Sequence, residues 1–300
     1  MTKKHFCYLI LAVIISSCST NPYKNTEKAY DQQLKTLENQ ITNKEAKPIP
    51  ATPIVIDTSY AQQLGIIKDT LSKTGSTYLV NGINTEWIGT VNFNLRKPSF
   101  VIIHHTAQDS LQQTINTFTK TKTQVSAHYV ISENGKVVQM LNDYLRAWHA
   151  GNSTWGKTTD LNSCSIGIEL DNNGFKPFTE AQINSLVALL TKLKKDYNIP
   201  TQNFLGHADI APGRKQDPSA LFPWKTLAEK GFGIWPDEIL EPAPFDFKIE
   251  PALRIIGYNT KNLTAAIQAF KLHYIQTDAT STLDRKTIDT IYSIYKKQVQ

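Results

Sequence analysis

The run Phe100-Val101-Ile102-Ile103 constrains the fold of this chain more than any other segment. It is continuously apolar and rich in β-branched residues, the pattern of a strand buried on both faces rather than one. Such a strand needs a covering layer on each side of its sheet. Ser165-Ile166-Gly167-Ile168-Glu169-Leu170 reads as another strand. His128-Tyr129-Val130-Ile131 and Val137-Val138-Gln139-Met140 read as two more, joined through Glu133-Asn134-Gly135, where glycine supplies a positive φ. Thr179 to Tyr197 carries the helical period in Ile183, Leu186, Val187, Leu190 and Leu193, and Thr179 with Gln182 forms a capping box. Interleaved strands and helices predict a mixed α/β fold, a central mixed β-sheet flanked by helices.

A length of 300 residues accommodates one sizeable domain and a smaller one. Leu240-Glu241-Pro242-Ala243-Pro244 reads as an interdomain linker, about 240–250. Beyond it three short amphipathic helices are expected, roughly Pro251–Ile256, Leu263–Tyr274 and Leu283–Tyr295, making a small satellite domain over 251–300. The larger domain then occupies 54–239, with its core at about 100–239. Within 54–99 only Ile54-Val55-Ile56 suggests a strand.

The N-terminus is the most decodable short segment. Lys3 and Lys4 precede an apolar run, Tyr8 to Ile15, too short to span a bilayer, which ends in Ile15-Ser16-Ser17-Cys18. That ending resembles the bacterial lipoprotein cleavage box. The resemblance implies that residues 1–17 are a signal peptide and that Cys18 becomes the lipid-modified first residue. Ser19, where Asp would signal retention, implies anchoring on the periplasmic side of the outer membrane. The alternative is an ordinary secretory signal ending near a cysteine. Residues 18–53 read as a polar tether closing in the proline-rich Lys47–Pro53. Cys164 would remain the one free thiol, so no intramolecular disulfide is expected. The formal charge of +6 falls to +4 once Lys3 and Lys4 are removed. That is too mild to argue for nucleic acid, and compatible with an anionic polymer.

The chemistry-bearing residues are few. His104 and His105 end one strand, His207 follows the apolar stretch Phe204-Leu205, and Asp217 comes ten residues later. Two histidines from separate strand ends and one carboxylate make a three-ligand set suited to catalytic zinc, with a fourth position open to water. Zinc in such a set lowers the pKa of water to roughly 7. Spacing alone is weak evidence, because a single strand-end histidine is more often a hydrogen-bonded surface residue. Successive residues on a strand face opposite sides, so only one of His104 and His105 reaches a shared site; His104 is the assignment, His105 the alternative. His128, inside an apolar strand, is expected to pack in the core.

Four blocks occur in order: Val101-Ile102-Ile103-His104-His105-Thr106-Ala107, Ala147-Trp148-His149-Ala150-Gly151, Ser165–Leu170, and Gly206-His207-Ala208-Asp209-Ile210-Ala211-Pro212-Gly213-Arg214-Lys215-Gln216-Asp217-Pro218. Together they resemble the type 2 N-acetylmuramoyl-L-alanine amidases, the superfamily of phage lysozyme-type amidases and peptidoglycan recognition proteins. The likeness runs on through Leu221-Phe222-Pro223-Trp224 into the C-terminal helices. It implies Zn2+ held by His104, His207 and Asp217, Glu169 as catalytic acid and base, and Lys215 as catalytic cation. Amide hydrolysis needs a base that later protonates the leaving amine, and positive charge at the developing oxyanion. The resemblance also places Trp148 and His149 beside the substrate cleft, although Trp148 read by itself could equally fill the domain edge. The C-terminal helices resemble peptidoglycan-binding-type domains. Lipoprotein amidases of this family tend to carry Tyr where this chain has His105. The partners implied are peptidoglycan or muropeptides, with the membrane reached through Cys18. Two other readings compete with the enzyme: non-catalytic recognition of peptidoglycan, and tethering of membrane to wall. Non-catalytic relatives typically lack a metal ligand, whereas Asp217, Glu169 and Lys215 are all present here.

Overall fold

A computed structural model of the chain describes residues 97–300 throughout, the backbone of two short strands before them, and five helical positions between Lys28 and Thr36. The expected signal peptide, Cys18, Ile54–Ile56 and all of the expected tether but those five helical positions lie outside the described residues. The chain divides into two units, Met1–Leu95 and Arg96–Gln300. In the first, β1 (Thr77–Val80) pairs antiparallel with β2 (Ile83–Glu86).

The second unit is built on five strands: β3 (Phe100–His105), β4 (Tyr129–Ile131), β5 (Val137–Gln139), β6 (Ser165–Leu170) and β7 (Phe204–Gly206). Their order is β5-β4-β6-β3-β7. β4, β6, β3 and β7 run parallel, and β5 returns antiparallel on β4 through the turn at Gly135. The mixed α/β sheet expected from the sequence is therefore the fold.

Alternation along the central strands sorts residues between two cores. Val101 and Ile103 of β3 join Ile166, Ile168 and Leu170 of β6 on one face, under α2 (Glu180–Tyr197). That helix buries Ile183, Leu186, Leu190 and Leu193, and Thr179 caps it by accepting from Gln182 N–H. On the opposite face Ile102 joins Leu205 and Ile210. α1 (Leu111–Phe118) follows β3, capped by Ser110. Among its Gln, Thr and Asn residues, Leu111, Ile115 and Phe118 fall at the helical spacing i, i+4 and i+7. α3 (His207–Ile210) leaves β7 directly, and α4 (Trp224–Glu229) is short.

The three C-terminal helices form where expected: α5 (Ile249–Ile256), α6 (Leu263–Tyr274) and α7 (Arg285–Val299). Their packing corrects the expectation of a satellite domain. Leu253, Ile256, Phe270 and Ile291 share one core with Ile102, Leu205 and Ile210 of the sheet unit. Ala243, within the expected linker, is buried, and its N–H donates to Asp289 Oδ1 at 2.7 Å. Amphipathic period reveals that a helix face is buried but not against what, and here the partner is the second face of the sheet. A buried carboxyl fastens the two parts. Asp209, in α3, accepts from Tyr258 Oη at 2.6 Å, His273 Nδ1 at 2.7 Å and its own Gly206 N–H at 2.7 Å. At the end of α5, Gly257 (φ 135°) is required twice over. A Cβ there would sit 2.3 Å from the Trp155 ring, and L side chains rarely adopt that φ.

Candidate active site

The site lies where the parallel strands end, the usual crevice of an open α/β sheet. β3 and β6 are in register so that His104 stands beside Glu169. Both are on the face opposite Ile103 and Ile168, as the period of two requires. β7 delivers His207 as the first residue of α3. Asp217 is brought to it by the loop after α3. Arg214 and Lys215 N–H both bond to the Ala211 carbonyl, Gly213 turns at φ 76°, and the Asp217 carbonyl accepts from Ala208 N–H at 2.8 Å.

Three atoms converge here. His104 Nδ1 is 3.0 Å from His207 Nδ1 and 3.0 Å from Asp217 Oδ2, and His207 Nδ1 is 3.1 Å from the same oxygen. His105 points away from this cluster, its Nδ1 accepting from Ser219 N–H at 3.1 Å. His207 Nε2 donates to the Ala150 carbonyl at 3.1 Å, which turns its Nδ1 towards the cluster. Burial, with His207 alongside, lowers the pKa of His104 to about 4, so at neutral pH it is uncharged. Asp217 is held well below the ordinary carboxylate range: burial opposes its ionisation, but the two imidazoles it faces outweigh that.

The three atoms lie within 3.1 Å of one another, an arrangement that suits a shared cation. Ligands of a tetrahedral centre with bonds of about 2.0–2.1 Å lie roughly 3.3 Å apart, close to the edges seen here. Two imidazoles and one carboxylate are a donor set of the catalytic kind, with three protein ligands rather than four. The residues present fit a divalent metal.

Glu169 is half-buried, and its Oε2 has no hydrogen-bond partner among the described residues. Burial first, then the negative charge of Asp217, push its carboxyl up to about 8, against the opposing charge of Lys215. Lys215 is exposed. It borders, with Glu169, two cavities: one of about 180 Å³ lined also by Thr114 and Trp148, one of about 430 Å³ lined also by His105 and Phe175. Trp148 is 53% exposed, at the rim of the first, rather than filling the domain edge. Phe175, which the sequence did not single out, is 90% exposed at the second. His149, expected at the cleft, lines the first cavity but is largely buried, with both ring nitrogens at hydrogen-bonding distance from protein partners, His104 and Ser165. His128 is buried as expected, donating from Nε2 to the Leu145 carbonyl and accepting Gly167 N–H at Nδ1. Cys164 is a free, half-buried thiol. Arg214 escaped sequence reasoning as well. Its guanidinium holds the Ala150 and Asn152 carbonyls at 2.6 and 3.1 Å.

Comparison with known proteins places this scaffold. The sequence pattern of the N-acetylmuramoyl-L-alanine amidase family matches residues 94–220. The chain is 43% identical over 153 residues to N-acetylmuramoyl-L-alanine amidase AmiD of Escherichia coli (strain K12), covering 46% of this chain and 54% of that one. It is also 43% identical over 102 residues to 1,6-anhydro-N-acetylmuramyl-L-alanine amidase AmpD of Haemophilus influenzae, covering 34% and 55%. The chain thus spans about half the length of the curated relatives it matches. Among solved structures, E. coli AmiD in complex with anhydro-N-acetylmuramic acid-L-Ala-D-γ-Glu-L-Lys superposes with a TM-score of 0.61 at 30% identity, over 74% of this chain and 97% of that one. Pseudomonas aeruginosa AmpDh3 in complex with anhydromuramic pentapeptide gives 0.61 at 27%, over 73% and 99%. The chain belongs to the N-acetylmuramoyl-L-alanine amidase family.

Proposed function

We propose that this protein is a zinc-dependent amidase that hydrolyses the amide between N-acetylmuramic acid and L-Ala of the peptidoglycan stem peptide. The observation that carries the reading is the triangle of His104, His207 and Asp217 beside a Glu169 whose carboxyl is held near neutrality. Family relatives solved with anhydromuramyl peptides support the substrate class. Zinc is favoured over other divalent ions because imidazole suits it, whereas magnesium and calcium prefer all-oxygen sets. When bound, it would supply a nucleophile at neutral pH and polarise the amide carbonyl.

The chain's own residues do the rest. Glu169, adjacent to the cluster and between the two cavities, takes a proton from the attacking water and returns it to the leaving amine of L-Ala. A carboxyl with a pKa near 8 in the metal-free site accepts a proton more readily than an ordinary one. Lys215 borders both cavities and places positive charge where the carbonyl oxygen becomes negative. The two cavities give the sugar and the peptide separate sides of one reacting centre. The test of this reading is turnover of a soluble anhydromuropeptide, lost on chelation and restored by zinc. Lys215→Met is expected to cost roughly 10²–10³-fold in kcat with little change in KM, since its charge matters most once the oxyanion forms. An unchanged kcat would remove Lys215 from the mechanism.

We further propose that Cys18 is acylated and anchors the enzyme at the periplasmic face of the outer membrane. The lipoprotein-like Ile15-Ser16-Ser17-Cys18 ending supports this. Cys18→Ser is expected to move the protein from the membrane fraction to the soluble fraction. Retention of the variant in the membrane would contradict the anchor.

A further inference from the structure

The structure assigns His149 as a positioning residue for His104, at the head of a directed hydrogen-bond chain that ends at the Leu161 carbonyl. The inference rests on the proposed metal site in taking His104 as a ligand. It concerns a residue that the family likeness placed at the cleft.

Direction follows from the far end. The Leu161 carbonyl can only accept, so Ser165 Oγ–H donates to it, at 2.5 Å. That hydroxyl has one hydrogen, so its 3.2 Å contact with His149 Nε2 has the imidazole as donor. A neutral imidazole carries one N–H, its other nitrogen being an acceptor. With that hydrogen on Nε2, His149 Nδ1 is a lone pair. It therefore accepts from His104 Nε2–H, at 3.1 Å. His104 is then fixed with its own lone pair on Nδ1, aimed at His207 and Asp217. One serine hydroxyl selects the tautomer of two histidines in series.

The sheet is shaped for this ring. His149 lies across β6, where Ser165, Gly167 and Glu169 share a face. A Cβ on Gly167 would come 2.4 Å from His149 Cγ, so glycine makes the seat. The segment is pinned from behind, since Asn162 Oδ1 accepts both His149 N–H at 3.0 Å and Ala150 N–H at 2.8 Å. Ala150 in turn offers its carbonyl to His207 Nε2. Two consecutive residues therefore brace both metal histidines, one by its side chain and one by its backbone. Losing an outer hydrogen-bond partner of a metal-bound histidine typically costs about 10–100-fold in metal affinity.

The experiment uses the full chain labelled with 15N at its seven histidines, and two readouts other than activity. Long-range 1H–15N spectra of the metal-free and zinc-loaded forms should show His149 as the Nε2–H tautomer in both. Zinc affinity, measured by competition with a chromophoric chelator, should fall about 10–100-fold in His149→Leu. It should stay within a few-fold of wild type in His149→Asn, whose amide oxygen can take the place of Nδ1. Ser165→Ala removes no bulk from the core and should leave the protein folded, with His149 distributed over both tautomers. A His149 protonated at Nδ1 in wild type would overturn the inference. So would a folded His149→Leu that binds zinc like wild type, or an asparagine variant no better than leucine. Wild-type protein that takes up no zinc at all would instead overturn the metal site itself and the inference with it.

Discussion

Glu169→Gln is expected to lower turnover by roughly 10²–10⁴-fold with zinc still bound, the usual contribution of a general acid–base group. The same variant should be more stable than wild type in metal-free protein at alkaline pH. Burial, with Asp217 adding to it, pushes the Glu169 carboxyl from an ordinary 4.5 to about 8. A folded-state value above the unfolded one means that the protonated group favours the fold. That contribution is fully present below about 4.5 and lost as pH rises through about 8. Glutamine mimics the protonated acid and does not titrate. Urea midpoints measured with a chelator between about pH 5 and pH 9 should therefore fall for wild type and stay level for the variant. Zinc should reverse the wild-type trend by favouring the carboxylate. Parallel stability curves would mean that Glu169 is not held protonated. Near-normal turnover in the variant would mean that it is not the base.

Asp217→Asn is expected to abolish measurable turnover. It should weaken zinc binding by more than the roughly 10–100-fold that follows loss of an outer partner, because it removes the one anionic ligand of the set. Its pH signature is opposite to that of Glu169. Asp217 is held well below an ordinary 3.8, so its ionised form favours the fold. That contribution is present above about 3.8 and disappears as pH falls further. Metal-free Asp217→Asn should therefore be less stable than wild type at neutral pH, with the gap closing in acid. Two carboxyls in one site would thus carry opposite linkage, one kept ready to hold a proton and one kept charged. Equal zinc affinity in wild type and variant would exclude Asp217 as a ligand.

Much of this site is legible in the sequence because it depends on strand ends. Apolar runs locate β3 and β6, and alternation puts His104, rather than His105, on the face that carries Glu169. The loop bearing Lys215 and Asp217 is recognisable only as part of a longer familiar string; two charges at that spacing would otherwise read as solvated. What supports the ligands is not legible. Asn162, Ser165 and Arg214 act through hydrogen bonds to the 149–152 segment, and single polar residues carry no periodicity to expose such contacts. His149 illustrates the difficulty, because nothing local distinguishes a histidine that touches substrate from one whose nitrogens are both engaged by protein. The C-terminal helices were likewise readable as helices but not as partners of the sheet, since Asp209, Tyr258 and His273 meet only in three dimensions.

The most direct test of the amidase reading is mass spectrometry of the products formed from a purified anhydromuropeptide. The account predicts two products, the free sugar acid and a stem peptide beginning at L-Ala, whose masses together equal the substrate plus one water. Both should vanish with chelator or with Glu169→Gln, and return to the wild-type protein with zinc. Intact muropeptide under every metal condition, from folded protein that still binds it, would contradict the account and leave a protein that recognises peptidoglycan without cutting it.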